Sequence, residues 1–185
     1  MARPAPGDVG GGVTAPDGEV TTRLRAPRPD ELRTLRRWRE QVLSPYEDFA
    51  GEPPPGVTVA VLPLPQGSGE LAVTDGRDRL LGGVGWRPVT YGPNAGSQAL
   101  DIGISLHGTA RGRGHGTRAQ RMLAEHLFAT TGVHRVQAST DVENLAEQAA
   151  LERAGFRREG VLRGAQWRQG AFHDLAAYAR LRTDA

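Results

Sequence analysis

The sequence has no cysteine and no lysine, and these two absences exclude several kinds of chemistry. Without cysteine there is no disulfide, no thiolate-held zinc or iron–sulfur cluster and no acyl-cysteine intermediate. All 23 basic side chains are arginine, which excludes a Schiff-base lysine and the lysines that hold phosphates in P-loop proteins and kinases. Any chemistry must therefore use arginine, histidine, carboxylates, hydroxyls and backbone groups.

Long apolar runs and aromatic residues are also scarce. No stretch approaches the roughly 18 apolar residues that a membrane span needs, and the Gly- and Pro-rich start has no apolar signal core. We therefore expect a cytoplasmic protein without a membrane partner. Aromatic residues make up only 5% of the chain, and acidic residues interrupt the arginines of residues 23–39. That pattern indicates a solvated helix face and no nucleic-acid partner.

The length of 185 residues suits one globular domain with a sizeable core, and the formal net charge is only +2. Residues 1–19 are rich in Gly, Pro and Ala without hydrophobic periodicity, which predicts a disordered tail before a single domain at 20–185. Three histidines, His107, His115 and His134, lie near the motifs described below. They lack carboxylate partners at ligand spacing, so we expect solvated or capping histidines and no metal site.

The first half of the domain reads as a strand, a helix and an antiparallel meander. A strand is predicted at 20–26, and a helix begins at Pro29, with its apolar positions three and four residues apart. These positions are Leu32, Leu35, Trp38 and Val42. The proline-rich stretch 44–69 is mostly loop, with a short edge strand possible at 57–62. Three further strands are predicted at 70–74, 79–90 and 98–106.

The second half follows a β-α-β-α-β-β order. A glycine-rich loop at 111–117 leads into a helix with one apolar stripe. The stripe consists of Ala119, Met122, Leu123, His126 and Leu127. A strand at 133–140, a helix at 144–154 and two strands at 156–162 and 171–181 complete the domain. In the strand 98–106, Asp101, Gly103 and Ser105 are predicted to face one side, and Ile102, Ile104 and Leu106 the other.

The glycine-rich loop is the sharpest feature of the sequence. Alternating glycines at a helix start leave backbone N–H groups unshielded, and the helix dipole favours an anion such as a phosphate there. Arg111 and Arg113 add positive charge. A dinucleotide-binding fold is disfavoured because this loop follows a meander and lacks the acidic residue expected about twenty positions on. From these residues alone, a phosphate site and a plain helix-start turn both remain open.

The order of the motifs resembles a known family. An Arg-x-x-Gly-x-Gly loop between a strand and a helix, then a strand, then the segment from Asn144 to Phe156, resembles the GNAT superfamily of acyl-CoA-dependent N-acetyltransferases. Residues 101–104 and the tail residues Trp167, Gly170, Asp174 and Tyr178 look most like its RimJ/RimL branch, which acetylates ribosomal-protein N-termini. The resemblance covers residues 20–182. It implies an α/β (α+β) fold with a mixed, mostly antiparallel twisted sheet flanked by helices.

The resemblance also implies acetyl-CoA as the donor and a set of residues that hold it. Backbone amides of the loop would bind the CoA pyrophosphate, and a bulged strand would pair with the pantetheine arm and polarise the acetyl carbonyl near Ile104 and Leu106. Asn144 would contact the pantetheine or thiol end while also capping its helix, and Arg153 would meet the nucleotide phosphate or simply be exposed. The loop residues are Arg111, Gly112, Arg113, Gly114, His115, Gly116 and Thr117.

Two positions depart from the family pattern and bear on catalysis. Many members have a tyrosine general acid where this chain has Leu151, and the RimJ/RimL branch often has a serine where it has Glu147. Glu147 is thus a candidate proton carrier, although an exposed side chain is the simpler expectation at that helical position. Asp101 is the candidate base or amine-binding group. Because a thiolate leaves readily, positioning and carbonyl polarisation can carry most of the rate.

We expect direct attack of a primary amine on the donor, and the absence of cysteine disfavours an acyl-enzyme. The leading acceptor is the N-terminal amine of a peptide or protein. A small amine, such as an aminoglycoside-type antibiotic, is the alternative that a carboxylate-rich acceptor pocket would favour. A catalytically weak CoA-binding module is the alternative from a different class. The oligomeric state, including a homodimer, is left open by the sequence.

Overall fold

The computed structural model describes residues 20–41, 44–49, 54 and 65–184. These residues form three α-helices and seven strands. The helices are α1 (Pro29–Glu40), α2 (His115–Thr130) and α3 (Leu145–Arg153). The strands are β1 (Thr22–Arg25), β2 (Gly69–Asp75), β3 (Leu80–Thr90), β4 (Gln98–Leu106), β5 (Arg135–Asp141), β6 (Arg157–Arg168) and β7 (Ala171–Leu181). The predicted tail at 1–19 and the predicted edge strand at 57–62 lie outside the described residues.

The seven strands form one sheet in the order β1-β2-β3-β4-β5-β7-β6. Among the described strands, β4 and β5 are the one parallel pair, and every other neighbouring pair is antiparallel. The parallel pair requires a crossover, which α2 supplies between β4 and β5. The mixed, mostly antiparallel sheet flanked by helices is therefore confirmed.

Helices α1 and α2 lie on opposite faces of this sheet. A Cβ added at Gly116, near the start of α2, would sit 3.7 Å from Leu106 Cδ1 and 4.0 Å from Ile104 Cδ1. Ser105 faces the other way and pairs with Gly83, where an added Cβ would sit 3.4 Å from Leu35 Cδ2 of α1. The predicted alternation of side chains along β4 is thus confirmed.

The main core lies between the sheet and α2 with α3. Ala119, Leu123 and Leu127 on the predicted stripe of α2 are buried against strand residues, while Met122 packs at the margin. Each fully buried leucine contributes about 1.5–3 kcal/mol relative to an exposed one. No helix among the described residues is both long enough and apolar enough to span a bilayer.

Helix α1 is held by an ion pair as well as by packing. The buried Glu31 accepts the backbone N–H of Arg28 at 2.8 Å and both guanidinium nitrogens of Arg25 at 2.6 Å. This contact with Arg25 lowers the pKa of the Glu31 carboxyl below its ordinary value. Leu32, predicted to face the core, is 44% exposed, because the helix meets the sheet through Leu35.

Strand β6 continues six residues beyond its predicted end at residue 162. Gly164 has a φ of +55° within an irregular part of the β6–β7 pairing. Its N–H donates to Asp174 Oδ1 at 2.7 Å. A bulge held by a side chain therefore carries the strand on to Arg168.

Candidate active site

A gap opens in the sheet where β4 and β5 separate. The two strands pair only from Ala99 with Arg135 to Asp101 with Gln137. Beyond this point β4 stays paired with β3 as far as Leu106, and β5 stays paired with β7 as far as Asp141. Residues 102–106 of β4 therefore have no strand opposite them on the β5 side among the described residues. We call this opening the strand gap.

Backbone groups of β4 point into the strand gap. The N–H of His107 donates to Leu81 O of β3 at 2.9 Å, so by alternation the N–H and C=O groups of Ile104 and Leu106 face away from β3. The β3–β4 register is unbroken from Leu106 to Gln98. The predicted bulge in β4 is therefore wrong. The N–H groups near Ile104 and Leu106 are available because β5 diverges.

The glycine-rich loop lies at the end of this exposed strand edge. Arg111 Nε donates to Leu106 O at 2.9 Å, which fixes the loop beside the gap. Gly112 and Gly114 have φ values of +71° and +80°, a left-handed conformation that favours glycine. Helix α2 begins directly after Gly114, so residues 115–117, predicted as loop, form its first turn. Helix-start N–H groups and the helix dipole together form a site for an anion.

The histidines near the loop have structural surroundings. His115 is only 5% exposed, and its Nδ1 lies 2.9 Å from Thr22 Oγ1 of β1. Burial lowers the pKa of the His115 imidazole. The expectation of a solvated or capping side chain is thus wrong for His115, which joins α2 to β1. His107 caps the short turn that follows it, as expected, and His134 is exposed.

Asn144 lies across the strand gap, between the end of β5 and the start of α3. Its Oδ1 accepts the N–H of Glu147 at 3.3 Å, and its Nδ2 donates to Thr140 Oγ1 at 3.1 Å. The predicted helix cap is confirmed. At the other end of α3, the side chain of Arg153 is exposed, and its carbonyl accepts a hydrogen bond from Arg121.

Glu147 is half-buried, in contrast to the exposed side chain expected at its helical position. Burial raises the pKa of its carboxyl from the ordinary 4.5 to about 7. A hydrogen bond from Gln120 of α2 favours the charged form and lowers the pKa, but by less than burial raises it. The nearby carboxylate of Glu47 adds to the rise. Because Gln120 also donates to Gly116 O at 3.3 Å, Glu147 is linked to the first turn of α2. A carboxyl in this state can release or accept a proton near neutral pH.

A groove of about 960 Å³ lies on the α1 side of the sheet and reaches the strand gap. We call it the α1-side groove. Its wall and floor come from α1, from residues 65–70, from β3 and β4, and from both sides of the gap. Its charged lining residues are Arg39, Glu47, Glu70, Arg87 and Asp101.

The three carboxylates of the α1-side groove each pair with an arginine. Arg87 donates to Asp101 Oδ2 from two nitrogens at 2.9 and 3.0 Å, while Gln137 approaches Oδ1 at 3.5 Å. Arg39 contacts Glu70 at 2.6 Å. Arg111 contacts Glu47 at 3.3 Å. Each carboxylate of the groove therefore has an arginine as counter-charge, and the hydrogen bond from Gln137 to Oδ1 of Asp101 is a long one.

A buried ion pair that the sequence analysis missed supports the rim of the site. Arg168 and Asp141 are 2% and 3% exposed and are hydrogen-bonded to each other. Arg168 Nη1 donates to Pro45 O at 2.5 Å, and its guanidinium lies 5.5 Å from the centre of the Tyr46 ring. This contact holds residues 44–49, which carry Glu47, against the end of β5. Partners 27 and 123 positions apart leave no local signal in the sequence.

The strand gap thus leaves an unpaired strand edge next to the start of α2, inside a mixed sheet flanked by helices. A family model described as an acetyltransferase (GNAT) domain matches residues 13–157. This match covers most of the chain, and the chain belongs to the GNAT acetyltransferase family.

The comparisons with individual proteins are consistent with this family. "Probable N-acetyltransferase YjcK" of Bacillus subtilis is 32% identical over 107 residues, which are 58% of this chain and 58% of that relative. Spermidine N-acetyltransferase of Vibrio cholerae, solved with CoA and spermine, gives a TM-score of 0.70 at 17% identity over 89% of this chain and 97% of that one. RimJ of Mycobacterium smegmatis, solved with CoA-disulfide, gives a TM-score of 0.66 at 21% identity over 89% of this chain and 86% of that one. At these identities the two structures show the shared fold.

Proposed function

We propose that this chain is an acetyl-CoA-dependent N-acetyltransferase that acts on the N-terminal amine of a peptide or protein. The observation that carries the proposal is the strand gap with the glycine-rich loop at its end. An unpaired strand edge fits the amide-rich pantetheine arm, and the start of α2 fits a pyrophosphate. Solved relatives in the family contain CoA.

The chain's own groups fit the donor in a specific way. In this proposal, backbone groups of Ile104 and Leu106 pair with the pantetheine amides and polarise the acetyl carbonyl. The N–H groups of residues 112–117, with Arg111 and Arg113, bind the phosphates. Acetyl-CoA supplies an activated acetyl thioester to this site. Arg153, exposed on α3, is a further candidate for the nucleotide phosphate.

Three side chains near the gap are proposed to serve the transfer itself. Asn144 orients the thiol end of the donor while it caps α3. Glu147 holds a proton on its carboxyl near neutral pH and is the candidate acid for the leaving group. Asp101 is the candidate group that binds the acceptor amine through Oδ1 and takes the first proton of its ammonium form. The neutral amine nitrogen then forms the new C–N bond as the C–S bond breaks, without an acyl-enzyme. The leaving thiolate takes the proton of Glu147, and the second proton of the nitrogen passes to solvent and restores Glu147.

The charge balance of the α1-side groove favours a peptide acceptor. A polyamine or an aminoglycoside carries several positive charges, and its recognition calls for carboxylates without arginine partners. In this groove each of the three carboxylates, those of Asp101, Glu70 and Glu47, has an arginine partner. A peptide N-terminus brings a single charge next to neutral amides. The presence of three carboxylates nevertheless makes a small polyamine the second candidate.

The proposed function predicts a thermal shift and a specific acceptor preference. Acetyl-CoA at a hundredfold excess over its dissociation constant stabilises the fold by about 2.7 kcal/mol, which raises the melting temperature measurably. Release of free CoA should be faster with short peptides than with spermidine or an aminoglycoside, and acetylating the peptide N-terminus beforehand should abolish it. A thermal shift without turnover of any amine would instead indicate a CoA-binding module. NAD is the control and should give no comparable shift.

A further prediction concerns Gly116 in the first turn of α2. Its φ is not left-handed, and an added Cβ meets only ordinary contacts, the nearest being Leu106 Cδ1 at 3.7 Å. Gly116→Val should therefore fold but obstruct the approach of phosphate to the helix start. Loss of charge-assisted hydrogen bonds of about 1.5–3 kcal/mol would raise the CoA dissociation constant about 10- to 100-fold.

Titration calorimetry of the unliganded variants measures this change. Gly132→Val is the matched control, because a Cβ at Gly132, beyond the other end of α2, meets nothing within 4 Å. If both variants bind CoA as tightly as the parent chain, the glycine-rich loop is only a structural turn.

A further inference from the structure

Three glycines, Gly83, Gly85 and Gly103, are neighbours in the floor of the α1-side groove. Gly85 of β3 pairs directly with Gly103 of β4, and Gly83, two residues earlier on the same face of β3, pairs with Ser105. The groove thus has a floor of bare backbone next to the strand gap. Glycine in a strand interior weakens the strand, so each of these positions calls for a physical reason.

Two of the three glycines have a steric reason within the fold. A Cβ at Gly83 would lie 2.9 Å from Glu70 Oε1 and 3.4 Å from Leu35 Cδ2, so glycine there lets α1 approach the sheet. A Cβ at Gly85 would lie 3.3 Å from Gly69 O of the neighbouring strand. These two residues are explained by packing alone.

Gly103 has no such reason. An added Cβ would meet no atom within 4 Å, and the φ of Gly103 lies outside the left-handed region. A side chain at this position would fit the fold without strain and would project into the α1-side groove. A residue that local structure disfavours, such as glycine inside a strand, and that no packing contact requires is expected at functional sites.

The position of Gly103 explains what the missing side chain permits. It lies between Asp101, which is the candidate binding group for the acceptor ammonium, and Ile104, whose backbone faces the strand gap. An amine held at Asp101 that reaches the strand gap near Ile104 passes over Gly103. The side chain of the residue that carries the amine must then occupy the space that a side chain at residue 103 would fill.

We propose that Gly103 is a specificity-determining residue whose bare backbone lets the enzyme accept N-terminal residues with large side chains. This inference rests on the proposed function, since it concerns the acceptor of the same reaction. The acceptor class is a peptide whose first residue places its side chain over Gly103. A substituted residue 103 would confine the reaction to N-terminal glycine and alanine.

The test compares peptides that differ only in their first residue: Gly, Ala, Leu or Phe. Gly103→Val is expected to lower kcat/KM for the Leu and Phe peptides at least tenfold more than for the Gly peptide. The acetyl-CoA dissociation constant should stay the same, and the melting temperature should not fall. Gly160→Val is the matched control, because Gly160 is also a strand glycine with nothing within 4 Å of an added Cβ, on β6 and away from the groove.

The outcomes separate this inference from the proposed function. If the parent chain acetylates peptides and Gly103→Val keeps the same Leu-to-Gly ratio as Gly160→Val, the role of Gly103 is overturned and the proposed function stands. If the parent chain turns over no peptide, the proposed acceptor and the inference both fail, whatever the donor affinity. If Gly103→Val binds acetyl-CoA more weakly and loses kcat/KM equally for all peptides, residue 103 belongs to the donor site and the inference is also overturned.

Discussion

Arg168→Met is expected to lower the free energy of unfolding by about 3–5 kcal/mol. The substitution removes the guanidinium that compensates the charge of Asp141, a residue only 3% exposed. The N–H of Glu143 at Oδ1 and the Nδ1 of His173, 3.4 Å from Oδ2, remain beside that carboxylate. The substitution also removes the hydrogen bond to Pro45 O and the contact with the ring of Tyr46. Met fills much of the arginine stem's volume, so the effect reports on charge and hydrogen bonding.

Urea denaturation of matched variants measures this effect through the transition midpoint at constant slope. Arg163→Met is the control on the same strand, because Arg163 is exposed, and it should change stability by less than about 0.5 kcal/mol. Adding Asp141→Asn to Arg168→Met removes the uncompensated charge while keeping the Oδ1 acceptor for the N–H of Glu143. The double variant should recover part of the loss. Equal midpoints for Arg168→Met and Arg163→Met would contradict a stabilising role for the pair.

The parts of the site that the sequence predicted are those set by local patterns. The glycine-rich loop, the cap at Asn144 and the two faces of β4 each follow from residues within a few positions of one another. Periodicity and capping preferences act over that range. The backbone groups of Ile104 and Leu106 do face the strand gap, although the bulge expected to expose them is wrong and their role toward a donor stays a prediction.

The features that sequence reasoning missed depend on contacts between distant segments. Nothing near Glu147 indicates burial, because the groups that cover it, Gln120 and Glu47, come from α2 and from the segment before β2. His115 meets Thr22 across 93 positions, and Arg168 meets Pro45 across 123. Such pairs are fixed by the sheet order and not by local propensity. The end of β6, predicted at residue 162, is wrong for a related reason, since a glycine in the sequence is equally compatible with a bulge and with a strand end.

Glu147→Gln is expected to lower kcat by about 10²–10⁴-fold. Glutamine keeps the size and the hydrogen-bonding groups of the side chain but cannot deliver a proton to a leaving group. Because burial holds the pKa of the Glu147 carboxyl at about 7, the parent chain carries the required proton below that pH and loses it above. Its kcat should therefore fall as the pH rises through about 7, and the variant should lack this limb.

The same substitution should change stability in the opposite direction from activity. Between pH 4.5 and about 7 the unfolded chain has an ionised Glu147 while the folded chain keeps the proton. The folded state then binds more protons, so its stability falls as the pH rises, and the penalty is constant above about 7. Glutamine carries no such penalty. Glu147→Gln should match the parent chain near pH 4.5 and melt at a higher temperature at pH 8.

Steady-state kinetics from pH 5.5 to 9 and melting curves at pH 4.5 and 8 test the two effects on one variant. Glu143→Gln, just before the same helix, is the matched control, because the side chain of Glu143 is exposed, and it should change neither measurement. A gain in melting temperature at pH 8 with unchanged kcat would mean that Glu147 is buried for packing reasons and takes no part in proton transfer. A rate limb on the acidic side of pH 7, lost in Glu147→Gln, would instead make Glu147 the group that accepts the proton of the amine. If Glu147 is both the acid and a buried carboxyl that costs stability, Glu147→Gln should lose the fall in kcat above pH 7 and should also melt at a higher temperature at pH 8. A merely structural residue would not produce this combination.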